Sequence, residues 1–455
     1  MSSAVPGKKE ASWDCVIAGG GPAGATLASI LLRHRPETRI VILEKERFPR
    51  FHVGETLVSE INRILHEMGA YEKVAREGFV RKYGATFRWG ANPQPWNMLF
   101  GEMESLRPLE ERFGSVQTAY TWHVDRAKYD RCLLDHAASL GAAVLEGVSA
   151  VSLIEENGRT AGVRGGDGKD YRGRFVVDAT GQAGFAAGLS ERELDPRLKH
   201  VAYWGYFRGF KMDSRYTGAI GSSRAFIAAH PNGWSWFFPI RPDLASVGVV
   251  TDFQSHRAGP KGDPEAFYRS ALASCPELSG LLRGAELVPY EKGSVLVHSL
   301  RDFSYLSRTL TRPGFARVGD AAGFVDPILS VGCFLGQFFG RMLAYGLLTL
   351  LDGRSGLEEG AVFEAYADHF RDALAAYREM TYFFYRFNER PEAWWAKARA
   401  LVQDADFPRA AADRQAFNVF VTGLAARRSL FRAPTAVFDA PFFQEAARQW
   451  IAPDG

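Results

Sequence analysis

Gly19, Gly21 and Gly24 stand in a G-x-G-x-x-G spacing, Gly19-Gly20-Gly21-Pro22-Ala23-Gly24. Glycines at these intervals let a chain turn tightly, approach a pyrophosphate with bare backbone, and pack a helix closely on a strand. A helix opening near Ala23 presents free N–H groups and a positive dipole end to phosphate oxygens. Glu44, followed by Lys45, lies about 20 residues beyond Gly24, where an acid accepts the ribose hydroxyls of an adenosine. The plainer alternative is a glycine-rich turn with a solvated acid. A second glycine cluster, Ala316-Arg317-Val318-Gly319-Asp320-Ala321-Ala322-Gly323, comes too far downstream to belong to a compact nicotinamide domain. Lys82 sits in an aromatic run, Lys82-Tyr83-Gly84-Ala85-Thr86-Phe87-Arg88-Trp89-Gly90. A lysine before a strand is ordinarily a solvated charge. Desolvated among rings, its amine loses its proton more readily and becomes a nucleophile.

These residues need elements to hold them. Asp14–Ala18 is an apolar run, the segment after it is helical to about Arg35, and Arg39–Leu43 reads as a second buried parallel strand. That is a βαβ unit at the start of the chain. Residues 82–90 and 200–260 alternate aromatic and β-branched residues around turns such as Pro231-Asn232-Gly233, the pattern of a sheet-bearing second lobe. Val124–Ala138 is a helix candidate, and Ala142–Asp178 holds short strands with Asn157-Gly158 and Asp167-Gly168 turns. Beyond Asp352 the pattern is helical. The expected organisation is a disordered lead-in (1–13), two interleaved lobes (14–340, the sheet-rich one mainly 82–120 and 200–300) and a helical region (341–455). In Gly233-Trp234-Ser235-Trp236-Phe237-Phe238-Pro239 the two tryptophans fall on one face of a strand, where plain core packing is the simplest reading.

The glycine clusters resemble flavoproteins of the aromatic-hydroxylase group. There the downstream Gly-Asp, here Gly319-Asp320, places a carboxylate on the flavin's ribityl or ribose oxygens. Val177-Asp178-Ala179-Thr180-Gly181 is similar to that group's middle motif, and Arg126, in Val124-Asp125-Arg126-Ala127-Lys128-Tyr129-Asp130-Arg131, to its helix-borne arginine. Within the group, Gly233–Pro239 resembles the G-W-x-W-x-x-P signature of flavin-dependent halogenases, and Lys82–Gly90 the segment that carries their catalytic lysine. Phe51-His52-Val53-Gly54-Glu55 looks like the loop beside their isoalloxazine. Phe384-Tyr385-Arg386-Phe387-Asn388 is similar to the helical tail of the phenol- and pyrrole-halogenating branch, and large insertions of the tryptophan-halogenase kind are absent from the sequence.

The resemblance implies an α/β fold: a Rossmann-like FAD-binding lobe interleaved with a β-sheet substrate lobe, plus a C-terminal helical region. It implies an enzyme that uses reduced FAD, dioxygen and chloride or bromide to make hypohalous acid and halogenate an electron-rich aromatic, a phenol or pyrrole, free or tethered to a carrier protein. Lys82 would hydrogen-bond the hypohalous acid or form a haloamine. Gly19, Gly21, Ala23, Gly24, Glu44, Lys45, Val53, Gly54, Arg126, Gly319 and Asp320 would bind FAD. Val331-Gly332, opening a helix after Asp326-Pro327, would hold halide on backbone N–H groups. Trp89, Trp234, Trp236 and Pro239 would line the passage between flavin and substrate. Two positions depart from the family's pattern: Val331, often Ser or Thr, and Phe334, often His. The sequence carries a single dinucleotide fingerprint, so reduced flavin is expected from a separate flavin reductase. A related monooxygenase, a geranylgeranyl-reductase-type enzyme and a non-catalytic flavin scaffold share parts of these motifs.

Composition bounds the rest. The 455 residues are 46% hydrophobic and 24% charged, with 55 Lys plus Arg against 52 Asp plus Glu. That balance excludes wholesale disorder and gives no basic stripe for nucleic acid. Cys15, Cys132, Cys275 and Cys333 have no metal or disulfide spacing, which fits a cytoplasmic enzyme without a metal. Pro327–Leu351 is the most membrane-like stretch, but Gln337 and Arg341 interrupt it, so a buried core helix is expected. Gly332, Gly336 and Gly340 recur every four residues and make a smooth helix face. Candidate pocket walls are Ala91–Gln117, with Pro93, Pro95, Trp96 and Phe100, and the helices around Tyr382–Phe387. Arg427, Arg428 and Arg432 are a candidate basic entrance for a carrier protein.

Overall fold

The computed structural model describes residues 12–91, 94–101, 119–185, 191–231, 233–252, 263–353, 356–402 and 413–422. The first apolar run forms the strand Trp13–Ala18, which pairs in parallel with Ile40–Glu44 on one side and Asp170–Asp178 on the other. Ala143–Glu146 extends the sheet beyond Ile40–Glu44, and Phe315–Arg317 and Thr311–Arg312 extend it beyond Asp170–Asp178. The uninterrupted Ile40-Val41-Ile42-Leu43 is fully buried, as a parallel strand covered on both faces must be. The helix Pro22–His34 links the first two strands, with Pro22 in its first turn and Arg33 and His34 facing the negative end of its dipole. Asn157 and Gly158 take φ values of +51° and +75° and join Ala150–Glu156 to Arg159–Gly165, the hairpin expected of that dipeptide.

A second sheet runs Glu286–Val288, His200–Arg208, Leu244–Asp252, Gly233–Arg241, Ser223–His230, Val80–Arg88, Trp96–Leu99. Thr121–His123 also pairs with Val80–Arg88, and His298–Arg301 with His200–Arg208. Its strands fall in sequence between strands of the parallel sheet, some between Ile40–Glu44 and Ala143–Glu146 and the rest between Asp170–Asp178 and Thr311–Arg312, so the two lobes interleave. Side chains alternate between its faces. Trp204, Tyr206, Ile227, Trp234, Trp236 and Phe238 join the core shared with the parallel-sheet lobe. Phe207, Phe226, Phe237, Val247 and Val249 pack under Pro264–Ala273 and Pro276–Leu281.

One irregularity decides which side chains share the inner face. Ser223 pairs with Lys82 but Ala225 pairs with Ala85, so Val80–Arg88 carries one extra residue, a β-bulge, between them. The bulge reverses the alternation, and Lys82 comes to face the same side as Ala85, Phe87 and the ensuing Trp89. Gly84 permits it: a Cβ there would lie 2.0 Å from the Met98 carbonyl oxygen. Sequence reading put Lys82 before the strand; it lies inside it, because pairing with Thr121–His123 extends the strand to Val80.

The helix candidate 124–138 forms as Arg126–Ser139. It starts later because the Asp125 carboxylate caps it, accepting the Ala127 N–H at 3.2 Å. Gly332–Asp352 is, among the described residues, the one helix long and apolar enough to cross a membrane (mean hydropathy 1.3), and 94% of that window is buried inside the protein. It is a core helix. Gln337 accepts from the Tyr129 hydroxyl (2.7 Å) and donates to Thr26 (3.0 Å), and Arg341 lies 3.5 Å from Glu67. The helices Glu359–Phe384, Pro391–Val402 and Asp413–Val421 follow. Phe384, Trp394 and Phe417 pack with Phe87 and Trp96 at one end of the inner face. Pro93, most of the 91–117 loop and the tail arginines lie outside the described residues.

Candidate functional site

The glycine turn is built on bare backbone. Gly19 has a φ of +104°, and a Cβ there would lie 2.3 Å from the Ala179 carbonyl oxygen; one on Gly24 would lie 2.1 Å from the Gly19 oxygen. Glu44 is buried and accepts the Gly20 N–H at 2.8 Å and the Glu46 N–H at 2.9 Å, so it shapes the turn as well as offering its remaining lone pairs. Lys45 is exposed beside Glu46 at 3.8 Å. No side chain caps the helix start at Gly21. The Arg50 guanidinium comes within 3.4 Å of where a Gly21 Cβ would lie, a cation at the glycine turn that no motif announced.

The downstream Gly-Asp meets this turn in space. A Cβ on Gly319 would lie 3.2 Å from the Ala23 methyl and 3.6 Å from Gly336 Cα, and one on Gly340 2.7 Å from the Ala23 carbonyl oxygen. The glycine face of the long helix is thus the surface on which the first helix lies. Asp320 is half-buried, and desolvation pushes its carboxyl up to about 6 against the opposing pull of Arg126. Gly319, Asp320, Asp326, Val331, Gly332 and Gly336 line one pocket. Val331 is the N-cap of Gly332–Asp352 with no side-chain cap of its own, and a side chain at 332 would collide with the Phe324 ring at 2.6 Å. Phe334 is buried and packs at a tilt against Phe338, 5.4 Å between ring centroids, and is not among the residues lining that pocket.

Arg126 ties the 51–55 loop to the first lobe. It pairs bidentately with Asp130 (2.7 and 2.9 Å) and donates to the carbonyls of Val53 (2.7 Å) and Gly54 (3.2 Å). Burial alone would raise Asp130; Arg126 and Arg50 outweigh it and hold the carboxyl below its usual range. At the end of the loop, Glu55 is buried and accepts from the Tyr206 hydroxyl (2.7 Å) and Ser246 (3.3 Å), and Trp236 Nε1 donates to the same serine (3.3 Å). Desolvation pushes Glu55 up to about 7, despite these bonds.

Lys82 is 2% exposed. Its Nζ donates to the Leu57 carbonyl at 2.7 Å and stands 5.6 Å from the Phe100 ring. Burial lowers its amine to about 7, so both protonation states are accessible near neutrality. The inner face then carries a row of rings. Trp89 lies 6.2 Å from Trp234, Trp234 5.9 Å from Trp236, and Phe238 stacks on Trp236 at 6.0 Å and on His123 at 5.8 Å. Gly248 leaves room for Trp236, whose ring a Cβ there would strike at 2.1 Å. Pro239 falls on the opposite parity of this strand, at a bulge, and does not join the row.

The fold therefore gathers Gly19, Gly21, Ala23, Gly24, Gly319 and Asp320 at one place, and Lys82, Trp89, Trp234 and Trp236 on one sheet face. The Arg126-held loop, through Glu55, joins the two. Sequence reading missed Arg50, Glu55 and His123 as site residues; Glu55 was visible as the acid ending an otherwise recognised loop. It also missed the link to the tail. The Tyr385 hydroxyl accepts from Trp234 Nε1 (2.8 Å) and donates to Asp326 (2.9 Å), and His200 stacks on its ring at 4.3 Å. The residues fit FAD on structural grounds: a cradle that any Cβ would fill, an uncapped helix start with Arg50 beside it, and a half-buried carboxylate where ribityl or ribose hydroxyls would donate. Among the described residues no cluster of His, Cys, Asp and Glu could hold a metal ion.

Comparison with known proteins agrees with this geometry. A family model described as tryptophan halogenase matches residues 14–113 and 106–434. Over 404 residues the chain is 32% identical to a tryptophan 2-halogenase of Chondromyces crocatus, covering 86% of this chain and 71% of that protein. It is also 32% identical to the 1H-pyrrole-2-carbonyl-[peptidyl-carrier protein] chlorinase of Pseudomonas fluorescens, covering 83% of this chain and 84% of that one. The solved structure of the myxobacterial chondrochloren halogenase CndH, an FAD-dependent enzyme, aligns over 97% of both chains with a TM-score of 0.73 and 27% identity. All three are halogenases rather than monooxygenases or reductases.

Proposed function

The chain belongs to the tryptophan-halogenase family of flavin-dependent enzymes, and from that premise we propose that it halogenates an electron-rich phenol or pyrrole, free or carrier-tethered, through Lys82. The observation that carries this reading is the buried amine of Lys82, lowered to about 7, on the same sheet face as the Trp89–Trp234–Trp236 row. Bound FAD, reduced and supplied with dioxygen, provides the two-electron oxidant that turns halide into hypohalous acid. Gly19, Gly21, Ala23 and Gly24 hold the pyrophosphate, Glu44 the adenosine ribose, and Asp320 the hydroxyls of the flavin side chain. Lys45, at the surface, is left to the outer edge of the nucleotide. Arg126 holds the Val53 and Gly54 carbonyls and so fixes the loop against the ring system. Backbone N–H groups at Val331 and Gly332 hold the halide. The tryptophan row excludes water along the way to Lys82.

At Lys82 two modes are chemically open. The ammonium can donate a hydrogen bond to the oxygen of hypohalous acid. The neutral amine can form a haloamine: the N–halogen bond forms as the O–halogen bond breaks, and the oxygen leaves as water with the amine's proton. The carrier-tethered reading is supported by the similarity to the pyrrole-carbonyl carrier-protein chlorinase. The similarity to the tryptophan 2-halogenase favours a second reading, an indole substrate. A separate reductase supplies reduced flavin, since one dinucleotide fingerprint serves FAD. The four cysteines are free, which supports a cytoplasmic setting. The deciding experiment is mass spectrometry of products from phenol, pyrrole and indole substrates, free and carrier-bound, with FAD, a flavin reductase and each halide in turn. Halide-dependent mass shifts on a phenol or pyrrole, lost in Lys82→Ala with FAD still bound, are expected. Oxygen incorporation without halide would sink the reading.

A further inference from the structure

Around Lys82 the fold leaves buried polar atoms without partners. The antiparallel register sets Thr121 directly opposite Lys82 and His123 opposite Val80, and a bridge sets Thr56 opposite His123. Residues paired across a ladder, and those two apart along a strand, share a face, so Lys82, Thr121, His123 and Thr56 converge. Thr121 and His123 have no exposed surface and Thr56 has 7%. Neither ring nitrogen of His123 and neither threonine hydroxyl has a hydrogen-bond partner among the described residues. Buried donors and acceptors are almost always paired, because an unpaired one loses its hydration for nothing. Four such atoms around one amine therefore point to an occupant.

That occupant is small, since these side chains are sealed from bulk solvent, and it both donates and accepts hydrogen bonds. His123 is neutral, because burial, and secondarily the Lys82 charge, push it well below its usual range. A neutral imidazole offers one donor and one acceptor, and Lys82 keeps N–H groups beyond the one given to Leu57. Through its stacking on Phe238, His123 also joins this cluster to the tryptophan row.

We propose that Thr56, Thr121 and His123 form with Lys82 a polar cradle that binds hypohalous acid between its formation and its transfer, with His123 accepting a hydrogen bond from the O–H while Lys82 and the threonines donate among the lone pairs of the oxygen and the halogen. This rests on the halogenase reading above and assigns three further residues to it.

The test uses the full chain loaded with FAD. Thr121→Val and Thr56→Val keep side-chain shape and remove an unpartnered hydroxyl, so each is expected to melt no lower than the parent. Each is expected to lose halogenation roughly tenfold to a hundredfold, with more free hypohalous acid caught by a scavenger in solution. His123→Gln, which keeps a donor and an acceptor, recovers most of what His123→Leu loses. A high-resolution crystal structure of the FAD-bound enzyme reads the cradle independently of turnover. A water or halide within about 3.2 Å of both Lys82 Nζ and a His123 nitrogen is expected. A dry cradle, or valine variants halogenating within about twofold of the parent, overturns the proposal. A parent that halogenates nothing with any halide overturns the halogenase reading itself, and this proposal with it.

Discussion

Glu55 and Lys82 are buried titratable side chains that desolvation moves toward one another, the acid from 4.5 up to about 7 and the amine from 10.5 down to about 7. Their effects on stability have opposite slopes. Between its two values Glu55 is protonated in the fold and ionised once unfolded, so stability falls as pH rises from about 4.5 to 7. Across its own window Lys82 is neutral in the fold and charged once unfolded, so stability rises with pH from about 7 to 10.5. Each slope is at most about 1.4 kcal/mol per pH unit. Urea unfolding of Glu55→Gln is expected to show a smaller decline between pH 5 and 7 than the parent. Lys82→Met is expected to be more stable than the parent at pH 7, with the gain shrinking toward pH 10, while halogenation is lost. A Lys82→Met variant with no gain at pH 7 would contradict the amine's burial.

At the scale of elements, the smooth face on Gly332–Asp352 does unequal work along its length. A Cβ at Gly340 would lie 2.7 Å from the Ala23 carbonyl oxygen, whereas one at Gly336 finds nothing nearer than the Ala23 methyl at 3.6 Å. Gly340→Ala is therefore expected to push this helix off Pro22–His34, at a cost of about 1–3 kcal/mol, and to weaken FAD binding. Gly336→Ala is expected to hold or gain up to about 1 kcal/mol from helix propensity. Thermal melts of the two variants check the contrast, and equal losses would refute it. The bulge makes a second prediction. In Gly84→Ala the new methyl meets the Met98 carbonyl, the extra residue is no longer accommodated, and Lys82 turns toward the opposite face. The expected signature is halogenation lost together with most of the downshift in the Lys82 amine, read from the pH dependence of residual activity.

At the scale of the whole molecule, one hydroxyl joins three parts of the chain. Tyr385, at the end of Glu359–Phe384, bridges Trp234 on the second sheet and Asp326 in the loop that precedes Val331–Gly332, the turn proposed to hold halide. Tyr385→Phe leaves an indole N–H unpaired and takes the hydroxyl from a carboxylate oxygen that keeps only His200 Nδ1 at 3.6 Å, at about 1–3 kcal/mol. It is expected to raise the KM for halide with FAD affinity unchanged; a change in FAD affinity alone would point to general loosening instead. The sequence by itself was enough for the parts that depend on local chemistry: the glycine turn, because only Gly19 fits a φ of +104° there, the NG hairpin, and the alternation that put Trp234 and Trp236 on one face. It was also enough for the family, since those motifs survive in order along the chain. Only the tertiary structure decided which face Lys82 shares, because a single extra residue in a strand inverts its alternation without altering composition or periodicity enough to be read. It alone showed that Pro239 turns away from the row and that Glu55, His123 and Tyr385 pack against these residues. Each of these gains its role from a partner distant in sequence, and burial, which sets the protonation of Glu55 and Lys82, exists only once the two lobes close on each other.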